Sequence, residues 1–335
     1  MAKVEVAGPR ITFVYTEIAK NNRRSVAIIV LFFALWIGIG ALGGYLFTTF
    51  ASGAHYDRYG NYVNVQYGSK PIFVGIAISI VLAVGGLLYS ITSGAALILR
   101  VSGARPADPI HYQQLHDMVE TLAIGDGLKK PDVYIIDDQS PNAFATGISR
   151  DKAAITFTTG LLETMNQEEL EGVTSHEMSH IKNHDIRLLV IVSTMIGMAA
   201  LLASVVWRTA FYANMGRSRD NGQLVIVIVV VGALLAVIGF LFGPLIRLAL
   251  SRRRESLADV SGVELTRNPA GLLSALKKLQ QNDKPFKGMN HVTAAMCIDD
   301  PLQHHESFLH RLYDTHPPIE QRIANLEKML AGGSV

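Results

Sequence analysis

Four stretches of the chain run without a single charged residue, 25–56, 71–99, 188–207 and 224–246. Each holds at least the roughly 20 apolar residues that a helix needs to cross a bilayer. A buried core helix is the alternative, and the least apolar of the four, 188–207, admits it most easily. All four are read as transmembrane helices. Small residues follow the first one in ASGA, 51–54, as at a signal-peptide cleavage site. Its apolar run is far longer than the roughly 7–15 residues of a signal core, so it is read as an anchor.

The polar stretches between them have the periodicities of a mixed domain. After 100 the pattern predicts a helix from Asp108 to about Ala123 and a turn through Gly125 and Gly127. Strands follow in PDVYIIDD, 131–138, and AAITFTTG, 153–160, both rich in β-prone residues. Asn166 with Glu169 three residues on has the form of a capping box. Leu170, Val173, Glu177, His180 and Ile181 then keep helical spacing. Beyond the fourth apolar stretch, helices are expected near 252–266, 270–281 and 318–331, with an irregular region over 283–316. The organisation is thus an N-terminal arm, 1–24, a first transmembrane pair, 25–99, a globular part, 100–187, a second membrane hairpin, 188–250, and a second globular part, 251–335. The two globular parts should form one domain.

Composition agrees: of 335 residues 49% are hydrophobic and only 17% charged, unlike an ordinary cytosolic enzyme. The net charge of +2 says little, and no Lys/Arg run suggests nucleic acid. The placement of charge says more. The arm carries Lys3, Arg10, Lys20, Arg23 and Arg24, whereas the loop 57–70 has Arg58 and Lys70 against Asp57, which puts the N-terminus in the cytoplasm. Arg208, Arg217 and Arg219 run against this rule in a loop that should face away. They are outweighed by Arg187, Arg247 and Arg252 to Arg254 at the opposite ends. The lone Cys297 excludes an intrachain disulfide and fits a reducing compartment.

Chemistry concentrates in VTSHEMSHIKNHDIRL, 173–188, at the lip of the third apolar stretch. His176-Glu177-Met178-Ser179-His180 is an H-E-x-x-H motif. On a helix its histidines share one face and can grip a single zinc ion, with Glu177 beside them as general base. On a continuous helix His184 would lie about 12 Å along the axis from His176, too far to share the ion. IKN, 181–183, has no glycine to turn the chain, so His184 is read as a helix-face residue. The third ligand must come from elsewhere. If the last two apolar stretches form a hairpin, SRRRESLADV, 251–260, emerges beside the motif, with Glu255 as the candidate ligand and Asp259 placed to accept a histidine ring N–H. The alternative is a surface helix with Glu255 paired to Arg252 or Arg254.

HEMSH followed by NHD, then SRRRESLAD beyond a hairpin, then THPPIEQRI, 315–323, and NAFATG, 142–147, resemble the HtpX-type membrane metalloproteases, relatives of the CAAX prenyl proteases and the mitochondrial Oma protease. The resemblance covers nearly the whole chain. It implies four transmembrane helices with a cytosolic α+β gluzincin-type zinc metalloprotease domain, in a prokaryotic inner membrane. It implies one zinc per chain, held by His176, His180 and Glu255, with Asp259 supporting a ligand and Glu177 as base. The role implied is hydrolysis of membrane or misfolded proteins in quality control under stress. It also implies His316 and Arg322 near the reacting carbonyl, and Asn142 and Ala143 on an edge strand that pairs with extended substrate. A zinc hydrolase acting on non-peptide substrates, or an inactive membrane adaptor, are the rival readings.

Overall fold

The computed structural model describes residues 9–56, 61–215, 229–234, 252–281, 297–298 and 319–331. Helix α1 covers Pro9–Ala51 and α2 covers Lys70–Val101; between them β1 (Gly53–Tyr56) pairs antiparallel with β2 (Tyr62–Val65). Among the described residues three helical stretches are long and apolar enough to span a membrane: Ile29–Ala51, Lys70–Val101 and Asp185–Thr209. Of the fourth apolar stretch only 229–234 is described, and it is helical.

Residues 27–90 and 194–242 form one compact unit. Its first two helices touch through missing side chains. A Cβ on Gly40 would overlap the Ser79 hydroxyl and the Gly75 carbonyl, and one on Gly44 would overlap the backbone of Pro71 and Ile72. Small residues four apart on both helices let the backbones meet, which is how helices associate where water gives no hydrophobic drive. Outside, Phe73, Val74, Val81, Leu88 and Leu201 are exposed, an apolar exterior suited to lipid.

The second unit contains residues 91–193 and 243–335. Its four-stranded sheet runs in the order β3 (Arg105–Pro106), β4 (Asp132–Ile136), β6 (Lys152–Thr158), β5 (Ala143–Ser149). β6 is parallel to β4 and antiparallel to β5, with Ile155 opposite both Val133 and Ala145. β5 is an edge strand. Helix α3 covers Gln113–Gly125 and α4 Thr159–Thr164. α3 starts five residues later than the pattern predicts, because the Asp108 carboxylate accepts from the amides of Ile110 and His111 and holds 108–111 in a turn.

Helix α5, Gln167–Lys182, is the centre of this unit. The Asn166 side chain accepts from the Glu169 amide and the Glu169 carboxylate accepts from the Asn166 amide, the reciprocal cap the sequence predicts. Residues 172–181 of α5 are all buried. It packs between β5 and the helices α7 (Arg252–Thr266) and α8 (Pro269–Gln280), with α9 (Ile319–Leu330) against α8. Val173, Met178, Phe157, Leu272, Leu276 and Leu326 close the core.

The expected helix continuity past 182 fails. Asn183 caps α5, His184 sits at φ 59, and α6 starts at Asp185 and runs to Met215. No glycine was needed, because histidine is among the few residues that enter the left-handed region with some ease.

Candidate metal centre

His176 and His180 project from one face of α5, their Nε2 atoms 3.2 Å apart. α7 brings Glu255 to them, with Oε2 3.6 Å from His176 Nε2 and Oε1 3.6 Å from His180 Nε2. Gly262, two turns on along the same helix face, lets α7 come this close: a Cβ there would stand 3.0 Å from Ser175 Oγ and 3.1 Å from the His176 amide. His176, Glu255 and His180 are all buried. Among the described residues these three are the group that could hold a metal ion.

The protons decide what fits between them. His176 Nδ1 lies 2.9 Å from Asp259 Oδ1, and His180 Nδ1 lies 3.2 Å from Asp185 Oδ2. Each carboxylate accepts from Nδ1–H, so each ring in its neutral form presents an Nε2 lone pair to the other and to Glu255. Two lone pairs and a carboxylate converging in a buried space repel one another unless a cation sits among them. Zinc bonds of about 2.0–2.1 Å in a tetrahedron put donor atoms about 3.3 Å apart, close to the separations here. Two imidazoles and a carboxylate are a donor set that zinc takes with its fourth position open. Burial depresses the basicity of His180, but the carboxylates of Glu255, Asp185 and Glu177 outweigh it and push its pKa up to about 9. The site attracts positive charge.

Glu177 lies on α5 beside these ligands without belonging to the group. Its Oε2 accepts from the Ala145 amide at 2.8 Å. Burial raises its pKa against the opposing pull of His176 and His180, a shift in the direction a general base near neutral pH requires.

Arg322, from α9, lies beside the His176 ring. Its Nε donates to Asp259 Oδ2 at 3.0 Å, its Nη2 to Asp259 Oδ1 at 2.7 Å and its Nη1 to the Ile298 carbonyl at 3.1 Å. The guanidinium clamps Asp259, whose pKa burial would raise but Arg322 and His176 hold below the usual carboxylate range, and its Nη2 also lies 3.3 Å from His176 Nδ1 and 3.4 Å from His176 Nε2. His316 lies outside the described residues.

Ala143 lies on β5, and its amide is held by the Asn142 side chain. Two outward groups of this edge are engaged within the chain: Ile298 N–H donates to the Ala143 carbonyl at 3.0 Å, and Glu177 takes the Ala145 amide. Asp185 is the residue that sequence reasoning missed. Its signal, NHD at 183–185, was in view, but only the left-handed turn at His184 brings it back to His180.

A model of peptidase family M48 matches residues 109–330. A protease HtpX homolog of Bacteroides fragilis (strain YCH46) is 36% identical over 323 residues, which is 94% of this chain and 98% of that protein. One from Streptococcus gordonii is 37% identical over 321 residues, 94% of this chain and 99% of that protein. One from Dictyoglomus turgidum is 40% identical over 256 residues, 76% of this chain and 82% of that protein. The crystal structure of S. mikatae Ste24p superposes with a TM-score of 0.46 at 18% identity, over 93% of this chain and 67% of that one, too loose a likeness to bear on the fold.

Proposed function

The chain belongs to peptidase family M48 and is a membrane metalloprotease of the HtpX type, and on that premise we propose that it is a zinc endopeptidase that cleaves membrane or misfolded proteins in quality control. The observation that carries the reading is the meeting of two Nε2 lone pairs and a carboxylate with Glu177 beside them.

His176, His180 and Glu255 would hold the ion. An ion held there would supply Lewis-acid chemistry, polarising a scissile carbonyl and lowering the pKa of water toward neutrality. Glu177 takes the proton of the attacking water and passes it to the leaving amine nitrogen, so no covalent intermediate is needed. Asp259, clamped by Arg322, keeps His176 in the tautomer that ligates. Extended substrate would pair with β5 through Asn142 and Ala143, which requires it to take the place of Ile298 at the Ala143 carbonyl. His316 is assigned beside the reacting carbonyl on THPPIEQRI alone; His316→Ala should lower kcat about 10²-fold or more with zinc retained.

The domain organisation follows: the parts 100–187 and 251–335 form one zinc-protease domain. The charge asymmetry supports placing it, with both termini, in the cytoplasm of a prokaryote, below four membrane helices. Cysteines introduced in 57–68 should react with an impermeant thiol reagent from outside, and ones near 140 should not.

The decisive experiment measures zinc per chain and cleavage of an unfolded protein. The wild type should carry one zinc and cut; Glu255→Ala should lose metal and cleavage together, since two histidines hold zinc poorly. Full zinc in Glu255→Ala, or a zinc-loaded wild type that cuts no protein, would overturn the reading.

A further inference from the structure

The two histidines are steadied by two chains of the same kind. Arg322 clamps Asp259, which holds His176. On the other side Arg254 Nη1 donates to Asp185 Oδ1 at 3.1 Å, and Asp185 Oδ2 holds His180 Nδ1 at 3.2 Å. Asp185 and Arg254 are 2% and 4% exposed, so each needs the other as counter-charge in a setting with little water.

Their positions in the chain matter more. Asp185 is the first residue of α6, a helix long enough to span a membrane. Arg254 stands in the first turn of α7, one residue before Glu255. Adjacent side chains on a helix diverge by about 100°, so one turn of α7 sends Glu255 to the metal position and Arg254 to Asp185. The left-handed His184 is what folds α6 back so that its first side chain meets His180.

We propose that Asp185 and Arg254 are a positioning pair for the metal site: Asp185 fixes the tautomer and ring plane of His180, and Arg254 ties that carboxylate to the turn that delivers Glu255. The affinity of the site for its ion then depends on the head of a membrane-length helix. The proposal rests on the reading of His176, His180 and Glu255 as the metal ligands. The alternative for the same contacts is a tie between α6 and α7 that stabilises the fold and leaves the metal indifferent.

Among the described residues Arg254 Nε and Nη2 have no partner, so a single donor makes the contact and a lysine can supply one. The test uses the full chain in detergent, loaded with zinc or with cobalt(II). Zinc affinity is measured by competition with a chelator, ligand geometry by the visible absorption of the cobalt form, and folding by thermal unfolding. Asp185→Ala should weaken zinc about 10- to 100-fold and shift the cobalt spectrum. Asp185→Asn keeps an oxygen for the His180 N–H but loses the charge, and should fall between. Arg254→Met should weaken zinc, and Arg254→Lys should recover most of the loss. If Asp185→Ala does not fold, Asp185→Asn and the two Arg254 variants carry the test. Wild-type zinc affinity and an unchanged cobalt spectrum in folded Asp185→Asn and Arg254→Met would overturn the pair. His180→Ala with wild-type affinity would instead overturn the ligand assignment beneath it.

Discussion

Where α1 meets α2, Gly40 and Gly44 lie against Gly75, Ser79 and the backbone of Pro71 and Ile72. Where α7 meets α5, Gly262 lies against Ser175 and His176. Both contacts depend on an absent side chain, yet they serve different ends. In the first, close approach is itself the source of cohesion, because backbone atoms gain dispersion contacts that lipid cannot match. In the second, close approach brings Glu255 and Asp259 of α7 to His176 and His180 of α5 in one buried space that Arg322 of α9 also enters, where each charge needs a partner and the ligand set needs a cation. The first kind of contact should tolerate no bulk and ignore metal. The second should respond to both.

The largest expected effect separates chemistry from either contact. Glu177→Gln keeps all three ligands and the hydrogen bond to Ala145 within reach, so zinc should stay while kcat falls about 10²- to 10⁴-fold. Turnover beside metal analysis checks this, and loss of zinc would place Glu177 among the ligands. The comparison itself is tested next. Gly40→Leu should lower stability by about 1–3 kcal/mol with zinc content unchanged. Gly262→Leu should lower stability and zinc affinity together, since it pushes α7 and Glu255 away from α5. Thermal unfolding in detergent with metal titration reads both; parallel losses of zinc in the two variants would erase the distinction.

A smaller effect belongs to the far end of α5. Asn166→Ala removes half of the capping box and should cost about 1 kcal/mol without changing zinc or turnover, by thermal unfolding and metal analysis. The smallest is at His184. His184→Gly suits the left-handed backbone at φ 59, so it should match or slightly exceed the wild type in stability and keep its full zinc. Metal loss there would mean that the turn supports the site, through the His184 ring or through its placement of Asp185 on His180.

Much of the fold was legible because it rests on local rules. The expected helices at 252–266, 270–281 and 318–331 correspond to Arg252–Thr266, Pro269–Gln280 and Ile319–Leu330, and the strands at 131–138 and 153–160 to Asp132–Ile136 and Lys152–Thr158. The H-E-x-x-H pairing is equally local, since four residues of helix set both rings on one face. The start of α3 was not, because Asp108 can cap a helix or hold a turn with the same carboxylate.

The sequence by itself determined that apolar segments long enough to span a membrane flank a mixed domain, and that one helix carries two histidines and a carboxylate in zinc-protease order. It also pointed to Glu255, through the assumption that a hairpin returns the chain to the motif. Tertiary structure decided what surrounds these groups. Asp185 reaches His180 only because His184 turns left-handed, Arg254 pairs with Asp185 and not with Glu255, and Arg322 clamps Asp259 while its Nη2 lies against His176. Helical spacing is a property of consecutive residues, but the partner of a buried charge is chosen by whichever opposite charge the packing brings within reach, and packing depends on the whole chain.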